Sequence, residues 1–133
     1  MTDTAHTSAS TATVQAYLRF WNSEPGDAQR RAGEDMFRPD ITYVAPVGVL
    51  AGVAALVDFT RQFREHVGAY SFDARSEPDV HHDRVRLPWQ LKVGDAVFAE
   101  GTDVLITDES GRITTVSTFL DRAPEGFDPH TDH

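Results

Sequence analysis

The sequence predicts an α+β domain in which helices come first and gather on one face of a curved antiparallel sheet. Three observations carry that prediction. Up to about residue 68 the apolar residues recur at i, i+3, i+4 and i+7, the period of a helix with one buried stripe. Beyond it they alternate one by one, the period of a strand with one buried face. Asp108-Glu109-Ser110-Gly111 then separates two runs rich in Val, Ile, Leu, Thr and Phe, which is hairpin chemistry with a glycine free to take positive φ as the return strand starts.

The elements follow in order. Thr13 caps a first helix whose stripe is Val14, Tyr17, Leu18 and Trp21, ending near Asn22 to Gly26. Asp27 caps a second helix with Ala28, Ala32, Met36 and Phe37 inward, stopped by Pro39, which lacks an N–H. A short strand at Ile41 to Val44 leads into the Pro46 to Gly48 turn and Val49-Leu50. A third helix spans about Gly52 to Val67, with Leu56, Phe59, Phe63 and either His66 or Val67 on its inner face, and Gly68 closes it. Tyr70 to Ser76 alternates as a strand. Val85, Leu87, Trp89, Leu91 and Val93 alternate with polar residues as the next, and Pro88, unable to donate to a ladder, implies an edge, a bulge or a bend. Gly94-Asp95 turns into Val97 to Asp108, and the return strand completes four antiparallel strands.

The 133 residues, 40% of them hydrophobic, suit one core, and we divide the chain into a disordered tail at 1–12, a single domain at 13–123 and a second tail at 124–133. Twelve basic residues against 21 acidic ones give a net charge of -9, which disfavours nucleic acid and anionic membrane surfaces as partners. The Thr, Ala and Ser opening has neither the basic start nor the apolar core of a signal peptide, and there is no cysteine. A cytoplasmic protein with no cofactor, acting on a small or neutral partner, is the expectation.

If residues equidistant from the hairpin turn pair, Asp103 faces Ser117, and Gly101, Asp103, Leu105, Ser117, Phe119 and Asp121 share one side of the sheet. Two acids then lie on a mostly apolar surface, where carboxylates must be desolvated, paired or used. About 13 Å of flat strand would keep them from sharing a proton, so they would flank a ligand. The plain alternatives are that Asp121 pairs with Arg122 or caps the turn into Ala123-Pro124, and that a one-residue bulge turns Asp103 to solvent. His66 lies toward the same interior, though a His at a helix C-terminus also gains from the dipole. Tyr17, Trp21, Tyr43, Phe59, Phe63, Trp89 and Phe119 are candidates to line a hydrophobic ligand site, or to be plain core. His81-His82-Asp83 and His130-Thr131-Asp132-His133 give no metal site, because neighbouring His side chains on a strand or loop point apart and no third ligand is spaced to converge.

Two helices, Phe37-Arg38-Pro39-Asp40-Ile41-Thr42-Tyr43, Leu50-Ala51-Gly52 opening a third helix, then Gly-x-Asp-Val, Asp-x-x-Gly-Arg-Ile and a closing Phe-Leu-Asp together resemble the SnoaL-like branch of the nuclear transport factor 2-like superfamily, over roughly positions 13 to 122. The resemblance implies a cone, with a bent sheet wrapping the helices and a pocket at its wide mouth, and a homodimer through the outer sheet face, where Arg84, Arg86, Gln90 and Lys92 would lie beside Glu100. It implies Asp121 as catalytic base, as in the cyclases, and Asp103 as a protonated donor, as in ketosteroid isomerases. The isomerase base would fall at Ala45 and its tyrosine at Phe20 or Trp21, which speaks against steroid isomerisation, and Arg84-Val85-Arg86-Leu87-Pro88-Trp89 lacks the acid of the epoxide hydrolases. The function expected is a cofactor-free cyclase or isomerase that takes a proton from beside a carbonyl of a polyketide- or terpenoid-like compound, with Asp121 as base and Asp103 or His66 polarising oxygen. The alternatives are a non-catalytic ligand-binding or dimerisation module and, third, epoxide hydrolysis.

Overall fold

A computed structural model of the chain describes residues 3–46 and 48–124. Three helices, α1 (Asp3–Asn22), α2 (Asp27–Met36) and α3 (Val53–Val67), accompany seven strands: β1 (Phe37–Ala45), β2 (Gly48–Ala51), β3 (Ser71–Ala74), β4 (Asp79–His81), β5 (Arg84–Val93), β6 (Ala96–Thr107) and β7 (Ile113–Arg122). Helix α1 starts at Asp3, ten residues before Thr13, because nothing between them breaks a helix: there is no Gly or Pro from Asp3 to Asn22. Of the tail expected at 124–133, residues 125–133 lie outside the described residues.

The sheet is mixed, not wholly antiparallel, with strand order β2-β1-β7-β6-β5-β3 and β4 paired to β5. Strand β1 lies parallel to β7, its Tyr43 opposite Val116, which the sequence could not announce because about half of the chain separates the two strands. Helix α2 ends at Met36, and Pro39 falls inside β1 instead of stopping the helix. The buried residues of α2 are Gln29 and Gly33, while Ala28 and Ala32 are exposed. Gly33 is required there, since a Cβ would lie 2.8 Å from both the Phe20 ring and Val53. Gln29 enters the core because its amide has partners: it donates to the Phe20 carbonyl at 3.0 Å and exchanges hydrogen bonds with the Thr60 hydroxyl.

Pro88 sits where the sequence requires. Its carbonyl accepts from the Arg75 N–H at 2.8 Å, so its missing N–H faces the gap between the end of β3 and the start of β4 and interrupts no ladder. The core that the sheet wraps is built on Tyr17, Phe20, Phe37, Ile41, Leu56, Leu87, Leu105, Ile113 and Val116, all fully buried. Asn22 ties the end of α1 to β3 by exchanging two 2.8 Å hydrogen bonds with the Phe72 backbone.

Candidate active site

The register of β6 and β7 decides which side chains face inward. Next to the turn the ladder is as the turn dictates, Thr107 opposite Ile113, but Thr114 is an extra residue and beyond it Asp103 pairs with Thr118, not Ser117. One residue of shift turns every following side chain over. Thr118 and Leu120 therefore point in with Asp103, and Ser117, Phe119 and Asp121 leave the expected face. Asp121 is itself a second bulge, skipped between the pairs Gly101–Leu120 and Glu100–Arg122. It lies on the outer surface, where it takes an ion pair from Arg75 at 2.7 Å and a hydrogen bond from the Thr102 hydroxyl at 2.8 Å. Phe119 is 58% exposed on the same side. Neither residue reaches the interior, and neither Arg122 nor the turn is the partner of Asp121.

Asp103 does point inward, and it is sealed. Only 1% exposed, it accepts from the Tyr17 hydroxyl at 2.5 Å, the Trp89 Nε1–H at 2.7 Å and the Thr118 hydroxyl at 2.8 Å. Burial pushes its carboxyl up from 3.8 to about 6, against the pull of those three donors. Burial and the neighbouring carboxylate raise Tyr17 well above the usual phenol range, so the shared proton stays on the tyrosine. The tyrosine that meets this acid is thus Tyr17, one turn before the positions the resemblance indicated. Gly101 makes the arrangement possible: the Trp89 ring lies across it so closely that a Cβ would fall 2.3 Å from the indole.

Above this buried cluster opens a cavity of about 530 Å³, within the ordinary range of small-molecule sites. Trp21, Tyr43, Phe59, Phe63 and Trp89, named from the sequence, all line it, whereas Tyr17 lies behind the wall among Trp21, Phe37 and Phe72. His66 is exposed and stands at the rim, so of the two candidates at the end of α3 it is the imidazole that borders the cavity. The Tyr43 and Thr118 side chains are each 9% exposed and form the polar part of the floor. Burial raises Tyr43 above the normal phenol range, with Asp103 adding to the effect and the Thr118 hydroxyl opposing it.

Sequence reasoning missed Thr118, Tyr70, Phe72 and Phe98. Thr118 was hidden by the Thr114 bulge. Phe98 is likewise an extra residue, skipped between the pairs Leu91–Ala99 and Lys92–Val97, so that Phe98 and Ala99 both border the cavity and alternation fails. Tyr70 precedes its strand, with its hydroxyl on the Trp21 carbonyl at 2.5 Å. Among the described residues no three His, Asp or Glu side chains converge as a metal site would require. His81 and His82 do not point apart as adjacent strand residues would, because His82 takes φ 52° and brings the two Nδ1 atoms to 3.2 Å.

No family model matches the chain, and no curated protein matches it in sequence. Solved structures do. A candidate isomerase of the SnoaL-like family from Agrobacterium tumefaciens is 29% identical, with a TM-score of 0.80 over 86% of this chain and 98% of its own. A candidate polyketide cyclase from Sinorhizobium meliloti is 16% identical, with a TM-score of 0.65 over 81% and 94%. A protein with a ketosteroid isomerase-like fold from Catenulispora acidiphila, solved with trimethylamine, is 17% identical, with a TM-score of 0.65 over 80% and 83%. The motifs running from Phe37 to Asp121, the cone and these likenesses agree: the chain has the nuclear transport factor 2-like fold in its SnoaL-like form.

Proposed function

We propose that the protein holds a hydrophobic, ring-bearing small molecule in the cone cavity and that isomerase- or cyclase-type proton transfer to or from it runs through His66. The observation that carries this reading is the cavity of about 530 Å³, bordered by aromatic side chains and one imidazole. Both acids that the resemblance brings forward lie elsewhere, Asp121 on the outer surface and Asp103 beneath the floor, which leaves the His66 imidazole as the wall group with general acid-base chemistry. The neighbour from Catenulispora acidiphila was solved with a small amine, which supports small-molecule occupancy of this architecture. The position of the two acids also favours a second reading, binding without turnover.

Trp21 and Trp89 border the cavity, so occupancy can be followed by their fluorescence. Across a panel of hydrophobic carbonyl compounds, binding should appear as saturable quenching, and turnover as exchange of the acidic carbon-bound proton for deuterium in NMR. His66→Gln should slow exchange by about 10²-fold or more, the usual contribution of a placed general base, while leaving binding in place. Asp121→Asn should change neither, and its stability should fall by less than about 1 kcal/mol, as expected of an exposed ion pair. Binding without exchange in the wild type would establish the second reading.

We propose further that two copies pair through the outer sheet face, where Phe119 at 58% and Val44 at 40% expose large apolar side chains. Phe119→Glu should convert a dimer to a monomer in sedimentation velocity, and a wild type that is monomeric at micromolar concentration overturns this.

A further inference from the structure

Several hydrogens at the polar floor of the cavity are spent within the protein, while the Trp21 Nε1–H of the wall is a buried donor left without a hydrogen-bond partner. Thr118 spends its proton on Asp103, and so does Trp89. Tyr70 donates to the Trp21 carbonyl, and Thr60 donates to the Val57 carbonyl and to Gln29. The Thr118 and Trp89 donors at the floor are thus directed at Asp103, away from the cavity.

The charge behind the floor has the same sense. Asp103 is met by the neutral donors Tyr17, Trp89 and Thr118 and, among the described residues, by no Lys, Arg or His. A buried carboxylate in that position projects negative potential through Thr118 into a space of low dielectric constant. Around that space stand eight aromatic side chains, among them Trp21, Tyr43, Phe59, Phe63 and Trp89, whose ring faces carry the negative end of their quadrupoles. Arg64 already uses one of these rings from outside: its guanidinium lies 4.5 Å from the Tyr70 centroid while it donates to the Asn22 and Ser23 carbonyls, and it is not part of the wall.

Resting on the cavity reading above, we infer that the ligand's buried end is cationic: a tertiary or quaternary alkylammonium group, or a protonated amine, attached to a hydrophobic body. The aromatic walls receive the alkylated nitrogen, and the buried carboxylate behind the floor balances its charge.

The test uses two probes of one shape, phenyltrimethylammonium and tert-butylbenzene, titrated against the full chain by Trp fluorescence. A plain apolar cavity prefers the neutral hydrocarbon, because the cation must shed water to enter. We expect the reverse here, with the cation bound at least about tenfold more tightly. Asp103→Asn keeps the shape and lets the amide donate to Tyr17, and it should weaken the cation by about tenfold or more while leaving tert-butylbenzene within about twofold. Should that variant fail to fold, lowering the pH from 8 to 4.5 on a His66→Gln background does the same: protonating Asp103, with only Tyr17, Tyr43, Thr118 and Trp89 facing it, should erase the preference for the cation. Equal or tighter binding of tert-butylbenzene, or a cation affinity unmoved by the loss of the Asp103 charge, overturns the inference and leaves the cavity reading standing. Failure of both probes to bind overturns the two together.

Discussion

Among the described residues no cation meets the Asp103 carboxyl, and that single residue sets both the polarity behind the cavity floor and a pH dependence of stability. In the unfolded chain its carboxyl titrates near 3.8, while in the fold burial holds it near 6. A carboxyl raised by folding binds more protons in the native state between those values, so its contribution is most favourable below about pH 4 and is lost as the pH rises through about 6. A displacement of about two pH units corresponds to about 3 kcal/mol, present at pH 4 and absent at pH 7. Other carboxylates titrate over the same window, so the quantity to measure is the difference between wild type and Asp103→Asn in urea unfolding. The Asn variant should gain on the wild type by up to about 3 kcal/mol between pH 4 and 7 and change no further up to pH 8. A difference that is flat with pH would mean that the three donors cancel the effect of burial.

At the level of elements, the two strands of the hairpin show what a sequence can and cannot declare. The turn was legible because Gly111 takes φ 87° and the Asp108 side chain accepts from the Ser110 and Arg112 N–H groups, chemistry that follows from residue type. Helix α3 was legible because its stripe and its closing Gly68 are local, whereas the choice between His66 and Val67 stayed open until the packing of the cavity rim made it. The facing of Asp121, Phe119 and Thr118 was not, because alternation cannot count through the bulges at Thr114 and Asp121, and a bulge is chosen by packing across strands. The parallel pairing of β1 with β7 and the short strand β4 escaped for the same reason. A consequence can be tested. Removing Thr114 takes out the extra residue and leaves every pair beyond it intact, so the deletion should cost no more than about 2 kcal/mol and still bind ligand. Deleting Ser117, three positions on, would instead turn Thr118 and Leu120 outward and Phe119 in, and should abolish cooperative thermal unfolding in circular dichroism. If both deletions behave alike, the inner face of β7 is not fixed by this register.

At the scale of the whole molecule, a cone whose sheet bends away from its helices leaves space that a maximally stable protein would fill. Among the described residues no helix is long and apolar enough to cross a membrane, so the aromatic lining is not explained by a membrane-spanning helix. Ala99 is 3% exposed and borders the cavity between the bulged Phe98 and the Trp89 side of β5, which makes it the position at which to fill that space. A longer side chain there replaces empty volume by contacts, since an unfilled apolar void forfeits dispersion energy along its lining. Ala99→Leu should therefore raise the unfolding temperature by a few degrees, about 2–6 °C if it contributes roughly 1 kcal/mol, and should abolish probe binding. That opposition is what a site kept open for a ligand demands. If filling the space instead destabilises the fold, the wall is already packed to capacity at Ala99, and if binding survives, the ligand sits nearer the mouth at His66 than the floor at Tyr43 and Thr118.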